Sequence, residues 1–135
     1  MKPDAWELIQ QNLQFYQTIM GRAEAELAAL NLETKSFFLL AAVEELKYPA
    51  ELARHCLLPR PTVSFLLKRL EKREFIQRKS VAGDLRRFEL VLTKSGRQTM
   101  EKAQVIVTDV FAKSFAQLTA KEQITYASLL AKMQT

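Results

Sequence analysis

"LPRPTVSFLLKRLEKREF", residues 58–75, holds one helix with two unlike faces. Pro59 and Pro61 lie at or before its first turn, where a missing N–H costs nothing, and apolar residues then recur at 63, 66, 67 and 70. Val63, Leu66, Leu67 and Leu70 thus form the core side of a helix over residues 60–73. Pro61, Phe65, Lys68 and Lys72 lie opposite, flanked by Ser64 and Arg69, so cations crowd the side turned away from the core. Among them Phe65 is an aromatic facing water.

The neighbouring stretches say what this helix belongs to. Upstream, Tyr48 is extended because it precedes proline, and Pro49 opens a short helix, "PAELARHC". Downstream, "FIQRK" and "RRFELVLT" alternate with period two, Phe88, Leu90 and Leu92 facing one way, and the turn residues "SVAGD" make the pair a hairpin. Further out, "TKSFFLLAAVEEL", Thr34 to Leu46, predicts a buried helix around Phe38, Leu39, Ala42, Val43 and Leu46. The first helix starts near Pro3 and carries two apolar rows: Trp6, Ile9, Leu13, Tyr16 and Met20, then Leu8, Phe15 and Ile19. That is wider than one buried stripe requires and points to a partner subunit. "AEAELAALNL" either continues this helix past Gly21 or forms a short one of its own. Thr93 caps the next helix, with Met100, Ala103, Val107, Val110, Phe111, Phe115 and Leu118 as its apolar positions. Thr119 and Glu122 then form a capping box, and Ile124, Ala127, Leu130 and Met133 stripe a last helix.

The fold class is therefore mainly α with a small β hairpin. A chain of 135 residues with 48% apolar content suits one compact domain, 1–135. No apolar run approaches the roughly 20 residues that span a bilayer, and "MKPDAWELIQQ" lacks a secretory layout, so the expected location is the cytoplasm, with no membrane partner. Between Arg54 and Lys102 there are 13 Lys and Arg against five Asp and Glu, whereas the remainder is mildly acidic. A surplus of lysines is ordinarily a solvated surface, so the charge needs a structural address before it implies a partner.

The order helix, short helix, turn, second helix, hairpin supplies that address. It is the order of a winged helix-turn-helix, whose second helix enters the DNA major groove while the hairpin loop meets the backbone or minor groove. Here the sequence resembles the MarR family of bacterial transcription regulators. The resemblance runs from Glu51 to Gly96: an "ELA" helix, a "TV" recognition helix ending "RLEK", a wing with D-x-R, and a closing "LT-x-x-G". It implies a homodimer that binds double-stranded DNA at a pseudo-palindromic operator, acting as a repressor or activator. Residues 1–30 and 95–135 would be dimerisation helices flanking a winged-helix lobe at 34–94. The dimer surface would include Trp6, Ile9, Leu13, Ile124, Leu130 and Met133.

On the DNA side the expected residues are Arg60, Thr62, Ser64, Phe65, Lys68 and Arg69 of the recognition helix, with phosphate contact the simplest role for each polar one. Phe65 either presses on thymine methyl groups or folds against its own domain. In the wing, residues 80–87, the resemblance puts Arg86 in the minor groove, Asp84 orienting it or shaping the tip, and Arg87 beside it. The plain alternative for Asp84 and Arg86 is a surface ion pair of little energetic weight. Glu74 departs from the family pattern, which commonly has glycine there to permit a left-handed exit from the helix. Many relatives take a small, often aromatic, effector. Phe15, Tyr16, Phe37 and Phe38 would line such a pocket or, as aromatics more commonly do, pack as core.

Other chemistry finds little support. No Gly-rich phosphate loop, second histidine or paired nucleophile is present, which argues against an enzyme and predicts no cofactor. His55 has no spacing partners for a metal, and the single Cys56 reads as a small core residue rather than a redox sensor. The rival function is a winged helix used for protein contacts or for DNA binding without operator recognition; the basic segment disfavours protein contact.

Overall fold

The computed structural model describes residues 1–135, the side chain of Leu85 excepted. Six helices and a hairpin follow in order: α1 (Ala5–Ala29), α2 (Thr34–Ala42), α3 (Pro49–Cys56), α4 (Arg60–Lys72), β1 (Ile76–Val81), β2 (Asp84–Leu92), α5 (Lys94–Phe115) and α6 (Ala120–Met133). They form two compact units, Met1–Ala23 with Ile106–Thr135, and Glu24–Val105.

The Glu24–Val105 unit holds the winged helix. Its core is built from Leu27, Leu39, Leu40, Val43, Leu52, Val63, Leu67, Leu70, Ile76 and Leu90, each nearly sealed from solvent. The four positions read as the core side of α4 are all buried; α3 has the expected bounds, and α4 ends one residue sooner than expected, at Lys72, with Arg73 as its cap. Three helices here end on left-handed residues that are not glycine: Asn31, Leu57 and Glu74. After α4 the Phe75 N–H donates to the Leu70 carbonyl (3.0 Å) and the Glu74 N–H to the Glu71 carbonyl (2.9 Å), the paired bonds of a Schellman turn. The glutamate thus takes the exit that glycine usually provides.

Some expectations need correction. The first helix starts at Ala5, because the Asp4 carboxylate accepts the Trp6 N–H (2.8 Å) and caps it there; the helix then runs unbroken past Gly21. Helix α2 stops at Ala42, and its inward aromatic is Phe37, not Phe38, which is 39% exposed. In "SFFLLAA" nearly every position is apolar, so periodicity could not choose the face. Phe75 belongs to the turn rather than the strand, and the strands reach further into "SVAGD" than expected, leaving Ala82 and Gly83 as the tip. The ladder jumps from Ser80 opposite Phe88 to Val81 opposite Asp84, so Arg86 and Arg87 lie where pairing is interrupted.

In the other unit, α5 turns into α6 through the expected capping box. The Thr119 hydroxyl accepts the Glu122 N–H (3.2 Å) and the Glu122 carboxylate accepts the Thr119 N–H (2.8 Å). The Gln123 amide braces the same turn by donating to the Phe115 carbonyl (3.0 Å). Aromatic stacking continues the packing, with Phe111 and Phe115 at 5.2 Å and Phe15 edge-on to Phe111 at 6.2 Å.

Candidate nucleic-acid interface

The outward row of α4 follows from its buried side. With Val63, Leu66, Leu67 and Leu70 turned inward, Arg60, Ser64, Phe65 and Lys68 are exposed and Thr62 and Arg69 half-buried. Phe65 keeps 59% of its surface, so it does not fold away into the lobe. The first turn of α4 carries no acidic residue and no side-chain cap, which leaves its N–H groups and Arg60 in an electropositive cluster suited to phosphate.

Arg69 has a second engagement that sequence reasoning missed. The Glu33 carboxylate, just before α2, accepts from Arg69 and takes a two-pronged clasp from Arg73, at 2.8 and 3.1 Å. The buried Ser36 hydroxyl donates to the same carboxylate at 2.7 Å. The Arg73 hydrogen bonds, opposed by partial burial and aided by Ser36, hold the Glu33 carboxyl down to about 2 from its usual 4.5. The guanidinium of Arg69 also lies over the Phe65 ring, 5.6 Å from its centre. The only sequence trace of this clasp is the four-residue spacing of Arg69 and Arg73, which puts both on one helix face.

The wing is held by two cation–aromatic contacts. Arg78 lies over Phe88 at 4.3 Å and bonds Glu71 of α4 at 2.5 Å, tying the hairpin to α4. Arg87 lies over Tyr48 at 4.9 Å, so it is partly committed to the domain itself. Arg86 is exposed in the unpaired stretch of β2 beside the tip. Asp84 accepts the backbone N–H of Arg86 at 2.9 Å, so it shapes the turn; among the described residues no ion pair joins the two side chains.

The effector expectation changes in composition. Phe15 lines a pocket of about 360 Å³ whose other aromatic walls are Phe111, Phe115 and Tyr126. Tyr16, about 100° further round the helix, is not in that lining. Phe37 and Phe38 pack on each other in the Glu24–Val105 unit, 5.1 Å between ring centres, with Phe37 in the core. Cys56 is half-buried, and burial pushes its thiol up, away from the reactive thiolate.

Residues 37–87, from α2 to the wing arginines, match the family model described as "MarR family". No curated protein matches the chain. Among solved structures, the chain is similar to Staphylococcus aureus MepR in complex with DNA, at TM-score 0.81 and 23% identity over 98% of each chain. It is similar to wild-type MarR of Escherichia coli in its apo form, at TM-score 0.80 and 22% identity over 100% of each chain. A Mycobacterium tuberculosis MarR family protein in complex with p-aminosalicylic acid aligns over 99% of this chain and 100% of its own, at TM-score 0.76 and 24% identity. At these identities the structural matches establish the fold.

Proposed function

We propose that this chain, whose residues 37–87 match the MarR family model, is a DNA-binding transcription regulator of that kind and acts as a homodimer on a pseudo-palindromic operator. Helix α4 enters the major groove and the wing tip reaches the minor groove. The observation that carries this reading is the outward row of α4, Arg60, Ser64, Phe65 and Lys68, left in water by a helix whose other side is sealed. Three polar or cationic groups and one ring suit a surface that meets phosphates and base edges together. Two copies, with half-sites about one helical turn (~34 Å) apart, double the phosphate contacts. The exposed apolar side chains of Trp6, Ile9, Leu13, Ile124, Leu130 and Met133 support pairing through the terminal helices.

A small aromatic effector is part of the reading. The pocket beside Phe15, Phe111, Phe115 and Tyr126 supports it by offering faces and edges for a ring. Salicylate titrated into a preformed DNA complex is expected to release the duplex; release that persists in Phe111→Ala would place the effector elsewhere.

The operator reading is tested by selecting random duplexes with purified protein and sequencing those retained, with Arg86→Ala in parallel at matched salt. An enriched inverted repeat, bound about tenfold less well by Arg86→Ala, is the expected outcome. Retained DNA without a motif, with binding that only falls as salt rises, would leave an electrostatic DNA-binding module and no operator.

A further inference from the structure

The clasp around Glu33 lies on no groove-facing row, yet it ends at one. Glu33 precedes α2, 36 positions before Arg69 in the sequence, and Ser36 fixes the carboxylate from below. Of the two arginines it holds, Arg73 is largely buried, its side chain 15% exposed, and completes a structural pair. Arg69 keeps 40% of its side chain in solvent and lies over the exposed ring of Phe65. An aromatic on a helix surface ordinarily samples several rotamers. Here a cation that is itself anchored covers one face of the ring.

We propose that Glu33 is a specificity-determining positioning residue: it holds the Arg69 guanidinium across Phe65, so that the ring meets thymine methyl groups in one preset orientation. This rests on the operator reading above. A held ring discriminates between base pairs because a small displacement loses the methyl contact, whereas a mobile ring satisfies several sequences about equally. Phosphate binding by Arg60 and Lys68 does not depend on the clasp. Glu33 therefore governs which DNA is bound more than how tightly DNA in general is bound.

The test compares affinity for the selected operator with affinity for the same duplex carrying uracil at each thymine, which removes only the methyl groups, and with affinity for a scrambled duplex. The wild-type protein is expected to prefer thymine to uracil. Glu33→Gln is expected to lose most of that preference and about tenfold of operator discrimination, with scrambled-duplex affinity and salt dependence unchanged. Arg69→Lys, which keeps the charge but loses the planar fork, is expected to lose the same thymine-over-uracil preference, and neither change adds to Phe65→Ala. The Arg69→Lys arm stands by itself if Glu33→Gln fails to fold. Tighter binding to all DNA with a steeper salt dependence in Glu33→Gln would mean that the clasp withholds a phosphate ligand, and would overturn the proposal. So would full additivity with Phe65→Ala, or a thymine preference unchanged in either variant. A wild-type protein with no selected motif would overturn the operator reading as well, a result visible before any variant is compared.

Discussion

At Glu74 the backbone stands at φ 62°, a conformation that brings Cβ against the backbone and costs an L residue about 1 kcal/mol or more. The surroundings hold it there. The Thr93 hydroxyl donates to the Glu74 carbonyl at 2.6 Å, and the next side chain, Phe75, is buried. Glu74→Gly should therefore raise the unfolding free energy by about 1 kcal/mol, read from urea midpoints at unchanged slope. An unchanged or lower midpoint would show that the site carries no strain. At Glu33 the folded carboxyl titrates at about 2 against an ordinary 4.5, so its contribution is complete above about pH 4.5 and drains away as pH falls toward 2. With 42% of the side chain exposed, screening reduces this to about 1 kcal/mol. Between about pH 6 and about pH 3 the wild-type protein should lose more stability than Glu33→Gln; equal losses would mean that the clasp adds nothing to folding.

Among the elements, the junction of hairpin and α5 is closely packed at Gly96. Gly96 is buried where a Cβ would run into the Phe75 carbonyl, and that carbonyl already accepts the Thr93 N–H at 3.0 Å. The Thr93 hydroxyl also accepts the Gly96 N–H at 2.9 Å. Gly96→Ala should thus destabilise the protein by about 3 kcal/mol, the upper range for overpacking, because the neighbour is backbone and cannot rotate aside. Thermal unfolding checks it, and a melting temperature within a degree or so of wild type would refute the close approach. The elements legible from sequence were those with punctuation and a clear period: α3 between its proline and the next pair, α4 with residues 63, 66, 67 and 70 inward, and the Thr119–Glu122 box. Helix α2 resists such reading because seven consecutive apolar or small residues, 36–42, carry no phase, which lets Phe37 and Phe38 exchange places. The outward row of α4 was equally readable. Its link to Glu33 was not, since a carboxylate between two helices gives no periodic signal of a partner 36 positions away.

For the whole molecule, the terminal helices expose more apolar surface than an isolated chain usually does. Helix α6 buries no residue, and Ile124 and Met133 are 73% and 79% exposed. Leu13→Glu, placed on α1 at a position 56% exposed, is expected to halve the sedimenting mass at micromolar concentration while leaving helical content nearly intact. A wild-type protein that sediments as one chain would remove the homodimer and the two-half-site operator together. The same ends of the chain carry a built-in optical probe. Trp6 is the sole tryptophan, and it is 63% exposed near the start of α1. Indole emission shifts to the blue when water leaves the ring, so unlabelled protein followed by fluorescence during dilution would report assembly of the terminal helices without any indole signal from α4 or the wing.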